Sequence, residues 1–204
     1  TAQLSKSENS QSKKNCYTMN NLKRLLDKDK NLAQKMFNIE LNTRKLLSNS
    51  KPGKGNGGGN GGGGNGNGGG GSGPTPSPIS GNISIPIIVH ILYSEDAQNL
   101  SDSQILSQIQ VLNEDFNGSN SDISSVPLEF SNVVANSEIS FTLAQVIRKK
   151  TNVSSFGTND AIKFNSEGGS DAISPEKFLN IWVGNIGNNI LGYAQFPGGS
   201  SLTD

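Results

Sequence analysis

Histidine and cysteine, which carry most zinc and disulfide chemistry, are nearly missing: the 204-residue chain has one cysteine, Cys16, and one histidine, His90. A single cysteine excludes an internal disulfide. A zinc centre draws three or four ligands from His, Cys and carboxylate, with His prominent at catalytic sites. These residues alone are therefore a poor candidate for a self-sufficient zinc site. Aromatic residues are scarce at 6%, which removes the stacking platforms of single-stranded nucleic-acid binders. No apolar run approaches the roughly 18 residues of a membrane helix. Thr1 is not an initiator Met and no secretory signal follows it, so the chain is expected to be a processed or partial product. Its 21.5 kDa accommodates one medium domain with appendages.

Seventeen basic and seventeen acidic residues cancel overall, but they are segregated. Residues 1–54 hold twelve Lys/Arg against four Asp/Glu, a net +8, and residues 75–204 hold five against thirteen, a net −8. A basic segment tethered to an acidic one is steered onto it by the opposite fields. The first segment has no dense Lys/Arg run and few aromatics, so nucleic acid is not the expected partner.

Three parts follow from composition. Residues 1–50 begin with a Ser/Lys/Asn/Gln-rich stretch expected to be disordered to about Asn15. Thr18 then reads as a helix N-cap, and Met19, Leu22, Leu25, Leu26, Leu32, Met36, Ile39 and Leu46 form an apolar stripe over one or two helices. So short a helical unit needs a partner surface. Residues 51–78 form a linker, with fifteen of the 25 glycines between Gly53 and Gly73, then Pro74, Pro76 and Pro78. This composition predicts a flexible, readily cut tether. It lacks the Lys-Ser/Thr ending of a phosphate-binding loop.

Residues 79–204 are the folded part. Ile83–Tyr93 is a β-branched apolar run that reads as a strand, with Pro86 near its start. Ser101 and Gln104 form a capping box that opens a helix with Ile105, Ile109, Leu112 and Phe116 on its apolar face, ending near Gly118. Ile139–Ile147, Leu179–Val183 and Ile190–Phe196 read as further strands. The expected fold class is α/β (α+β), a mixed twisted sheet with a backing helix. The sheet is left without a second covering layer, so the fold reads as unfinished.

Several of these segments, in order, resemble the pappalysin family of metzincin zinc endopeptidases. They are Ile85-Pro86-Ile87-Ile88-Val89-His90-Ile91-Leu92-Tyr93; Ser101–Asn117 with its Leu112-Asn113-Glu114-Asp115-Phe116 ending; Gly168-Gly169-Ser170-Asp171-Ala172; Phe178-Leu179-Asn180-Ile181-Trp182-Val183; and Leu191-Gly192-Tyr193-Ala194-Gln195-Phe196-Pro197-Gly198. The resemblance covers most of residues 83–204. It implies a pro-segment (1–50), a cleavable tether (51–78) and the upper subdomain of a metzincin-like catalytic domain (79–204). It also implies a secreted zymogen that hydrolyses protein or peptide substrates. The family's zinc helix, His-Glu-x-x-His-x-x-Gly-x-x-His, is not within these residues, so Zn2+ ligands are expected C-terminal to Asp204 and no catalytic residue is assigned here.

Two sites follow from the resemblance. Gly192, Tyr193, Ala194, Gln195 and Phe196 match the upper-rim strand, where an extended substrate adds through backbone groups. Read without the family, they are an ordinary strand before a Pro197-Gly198 turn. Cys16-Tyr17-Thr18-Met19 is similar to the family's propeptide Cys-Gly-Thr-Met, whose thiolate occupies the open zinc position and imposes latency. Tyr17 departs from that pattern, and a free thiol is the alternative for Cys16. His90 reads as a buried core histidine bonded to backbone, and Trp182 as a core anchor. Gly184 stands where relatives often have Cys. Asp102, Asp115, Asp122, Asp160 and Asp171 raise calcium as a further metal, although their spacing fits no compact loop. Asn82, Asn99, Asn117 and Asn152 begin Asn-x-Ser triplets, which such a composition produces by chance. The competing reading is a non-catalytic secreted binding module on a Gly-rich stalk.

Overall fold

A computed structural model describes residues 15–49 and 81–199. The expectations for the first fourteen residues, the 51–78 linker and the last residues of the chain lie outside the described residues.

The order of principal elements is β1 (Asn15–Cys16), α1 (Thr18–Lys28), α2 (Leu32–Asn49), β2 (Ile83–Tyr93), α3 (Asp102–Phe116), β3 (Ile139–Lys150), β4 (Leu179–Val183) and β5 (Ile190–Gly192). β2 is the centre of a three-stranded sheet of order β3-β2-β4, parallel on both sides. Its near-continuous apolar run matches that position, because a central parallel strand is covered on both faces. Pro86 lacks an amide hydrogen, and it precedes Ile87, the first residue with a β4 partner. All strand pairings among the described residues are parallel, so the mixed character expected of the sheet is not seen there.

Alternation sorts the β2 side chains onto two faces. Ile87, Val89 and Ile91 point to α3 and pack with Ile105, Ile109 and Phe141. Leu92 faces the other way, onto Phe156 and Ile162. The capping box forms as the Ser101/Gln104 pair requires, with the Gln104 amide donating to Ser101 Oγ and Gln104 Oε1 accepting from the Ser101 amide. β3 continues three residues past the expected end. Its register shifts opposite Ile87/Ile88, skipping Ala144. The shift explains the uneven alternation of the segment: Phe141 and Leu143 face α3 before it and Val146 faces α3 after it.

Asn113 and Asn117 extend the contact between α3 and β3. The Asn113 amide donates to Phe141 O (3.0 Å) while its oxygen accepts from the Phe141 amide (2.7 Å). Asn117 donates to Ile139 O at 3.1 Å. The Leu-Asn-Glu-Asp-Phe ending of the helix thus clasps the start of the edge strand.

Candidate functional site: a sheet rim closed by the N-terminal segment

The loops after β3 shape one side of the rim. Asp160 sits at a left-handed backbone position, φ 70°, and begins a short 3-10 turn, Ala161–Lys163. Asn and Asp tolerate that conformation better than bulkier residues. Gly169 lies against this turn: a Cβ there would stand 2.3 Å from Ile162 O and 2.5 Å from Ala161 O. Ser170 is thereby brought under the sheet.

Beneath the rim lies a closed polar network. His90 is fully buried, with Nδ1 2.9 Å from Ser170 Oγ and Nε2 2.9 Å from Asn180 Oδ1. Because Asn180 Oδ1 can only accept, Nε2 carries the proton and Nδ1 accepts from the Ser170 hydroxyl. Burial pushes the imidazole below its ordinary value, with the Asn180 bond opposing the shift. Asn180 also accepts from the Ile173 amide and donates to Ile173 O and Phe178 O. Trp182 stacks on His90 with ring centroids 4.9 Å apart and donates to Ser170 O at 2.7 Å. His90 is thus a core histidine as expected, but its partners are side chains rather than backbone.

A groove of about 630 Å³ runs between β4 and the rim, lined by Trp182, Leu179, Lys163, Tyr193, Phe196 and neighbours. Its upper wall is the segment expected to be one strand from Ile190 to Phe196. Only Ile190–Gly192 is strand; residues 193–196 lie outside any ladder. The reason is their partner. β1 pairs with β5 in parallel, the Asn15 amide donating to Asn189 O and the Tyr17 amide to Gly192 O. The N-terminal chain then turns into α1, so side chains replace backbone as partners. Thr18 Oγ1 accepts from the Ala194 amide at 3.1 Å, and Asn21 Nδ2 donates to Ala194 O at 3.2 Å. Thr18 is accordingly the first helical residue. Tyr17 occupies the cap without a side-chain cap bond, which corrects the N-cap expected at Thr18.

Cys16 lies on β1 at the exposed side of this contact. Its Sγ is 3.3 Å from Thr18 Oγ1, and bonds from the Thr18 side chain and then its backbone hold the thiol below its ordinary value. No three His, Cys, Asp or Glu side chains converge into a metal site among the described residues. Among the described residues Cys16 has no enclosing set of further ligands, and Asp102, Asp115, Asp122, Asp160 and Asp171 form no cluster. Gly184 is closely approached by Ile162 Cδ1, 3.0 Å from where its Cβ would be.

Further along α1, Arg24 bonds to Asn21 Oδ1 and pairs with Asp160 Oδ2. Lys163 Nζ lies 3.4 Å from Asp160 Oδ1 and 5.7 Å from the centre of the Trp182 ring. The Tyr193 hydroxyl is buried nearby, without a hydrogen-bond partner among the described residues. Burial, then the negative charge of Asp160, pushes it up to about 12. Farther still, the Gly198 turn (φ 105°) lies beside α2, where an added Cβ would meet Lys35 and Ile39 at ordinary van der Waals distance. Sequence reasoning passed over Thr18 as a rim ligand and over Asn21 and Arg24, and it considered Asp160 only for calcium. The available signal is the three-residue spacing of Thr18, Asn21 and Arg24, which sets them on one polar helical face.

These features define a class: an α/β domain with its own N-terminal segment laid along one rim. Solved structures of mirolysin share the fold. The chain is 43% identical to mirolysin in complex with a compound (TM-score 0.56), covering 58% of this chain and 48% of that one. It is 44% identical to mature Tannerella forsythia mirolysin in complex with a cleaved peptide, with TM-score 0.57 and the same coverage. A promirolysin mutant from the same organism matches at 44% identity and TM-score 0.57, over 58% of this chain and 42% of that one. The chain thus spans less than half the length of these proteins. No family model and no curated protein matches it.

Proposed function

We propose that this chain is the pro-segment and upper catalytic subdomain of a secreted, zinc-dependent endopeptidase zymogen of the pappalysin type. The observation that carries this reading is the rim: Gly192 O, Ala194 N–H and Ala194 O are all bonded by residues 17–21. A chain segment lying where an extended peptide would add is how a strand-binding edge is blocked. The likeness to mirolysin, a pappalysin/metzincin-type protease, supports the same reading.

In the freed enzyme, Gly192, Tyr193, Ala194, Gln195 and Phe196 hold the substrate backbone in extended form, and the groove beneath them accepts its side chains. The buried His90–Asn180–Trp182 layer keeps that wall rigid. Zinc, when bound, polarises the scissile carbonyl and activates water; its ligands belong C-terminal to Asp204, with Cys16 the latency ligand.

The test is made on the natural gene product that contains these 204 residues. Zinc uptake, together with chelator-sensitive cleavage of a protein substrate after removal of residues 1–78, is expected. A product that takes up no zinc and cleaves nothing overturns the reading and leaves a binding module.

A further inference from the structure

Cys16 cannot by itself explain why the N-terminal segment stays in place, because it is exposed and among the described residues its side-chain partner is Thr18 of the same segment. The contacts that cross to the folded domain by side chain lie further along, at Thr18, Asn21 and Arg24. Asn21 is completely buried although it is polar, and both ends of its amide are used. Nδ2 reaches Ala194 O at 3.2 Å, while Oδ1 accepts from Arg24 Nε at 3.1 Å and Nη2 at 2.6 Å. Arg24 then spans to Asp160, 136 residues away. The two side chains are 29% and 13% exposed, so the pair is shielded from the solvent that makes surface ion pairs nearly worthless.

Asp160 is suited to receive a cation. Its αL backbone holds the carboxylate under the rim, and its neighbours there are Lys163 and the buried Tyr193 hydroxyl. Tyr193 resists ionisation, so it brings no competing negative charge. Removing Arg24 leaves a mostly buried carboxylate with Lys163 alone, a change that costs more than the pair itself is worth.

We propose that Asn21 and Arg24 form a side-chain latch on Ala194 and Asp160 that binds the N-terminal segment to the rim independently of the Cys16 thiol. Its inhibitory consequence rests on the protease reading above; the binding does not. The thiol and the latch then have separate duties. One addresses the metal, and the other holds the segment on the edge whether or not metal is present.

Amide hydrogen exchange of the full chain separates these possibilities. The Asn15 and Tyr17 amides, which donate to Asn189 O and Gly192 O, report docking; the amides of Val89 and Ile91 in β2 report core integrity. Arg24→Gln and Asp160→Asn are expected to speed exchange at Asn15 and Tyr17 about tenfold or more, with β2 protection unchanged. Asn is chosen at 160 because it tolerates the αL backbone. Cys16→Ser is expected to leave Asn15 and Tyr17 protected. Unchanged exchange in Arg24→Gln, or loss of docking in Cys16→Ser equal to that in Arg24→Gln, overturns the latch. These readouts need neither zinc nor activity, so failure of the protease reading is seen separately in the zinc and cleavage assays.

Discussion

Replacing Asn180 by Leu removes the hub of the buried network with a side chain of the same branching and heavy-atom number. Asn180 is 8% exposed and serves four partners: His90 Nε2, the Ile173 amide, Ile173 O and Phe178 O. Two of these are donors left without an acceptor, and each such buried orphan costs about 1–3 kcal/mol. The carbonyls lose less, since an oxygen tolerates one empty lone pair better. The expected loss is about 4 kcal/mol, a large share of the roughly 5–15 kcal/mol that holds a domain folded. Urea unfolding reads this directly through the fluorescence of Trp182, the one tryptophan in the chain, which stacks on His90. With a slope of about 2 kcal/mol per molar, the midpoint falls by about 2 M. A loss under about 1 kcal/mol refutes the claim that the network is closed to water.

The same position sets a pH test with a defined sign. His90 titrates below its ordinary 6.5 in the folded protein, so the unfolded chain binds the proton first. Stability is therefore full above about pH 6.5 and is lost as pH falls beneath it toward the folded value. Asn180→Asp places a carboxylate against Nε2 and favours the imidazolium, so the acid loss attributable to His90 shrinks or reverses. An unchanged acid limb in that variant overturns the assignment of the neutral His90.

Three further outcomes are expected. Ile91→Ala, at a completely buried site facing Ile105 and Ile109, costs about 2–5 kcal/mol in chemical denaturation; a cost near zero contradicts the placement of the core. Gly169→Ala drives a methyl against the Ile162 and Ala161 carbonyls and costs about 3 kcal/mol by thermal unfolding, whereas an unchanged melting temperature means that the loop is mobile. On the protease reading proposed above, Cys16→Ala raises basal proteolysis by the full-length protein, followed with a quenched peptide substrate. Unchanged latency removes the thiol switch and leaves the segment's occupancy of the rim to account for inhibition.

What the sequence made legible is what repeats locally. β2 and β4 coincide with their expected bounds because each is a β-branched apolar run between polar breaks. α3 begins where Ser101 and Gln104 place it. β3 runs past its apolar part because Arg148 is held by Asp102 and Asn99, contacts that no alternation encodes. The rim was placed by resemblance, and its five residues do gather at the groove. That Tyr193, Ala194, Gln195 and Phe196 would lack strand geometry was illegible, since it depends on Thr18 and Asn21, more than 170 residues distant. Arg24 and Asp160 were hidden for the same reason: the segregation of charge pointed to docking in general, but opposite fields name no pair.

The asparagine clasp on β3 bears on how copies of this protein behave in a crowded solution. A sheet edge with free backbone groups invites another chain to add, and repeated addition builds fibres. The Phe141 amide and carbonyl and the Ile139 carbonyl are already bonded to Asn113 and Asn117. The start of this edge is therefore sealed against templated growth by side chains of the helix beside it, so Asn113→Ala with Asn117→Ala should expose the β3 edge and promote aggregation in the full-length chain.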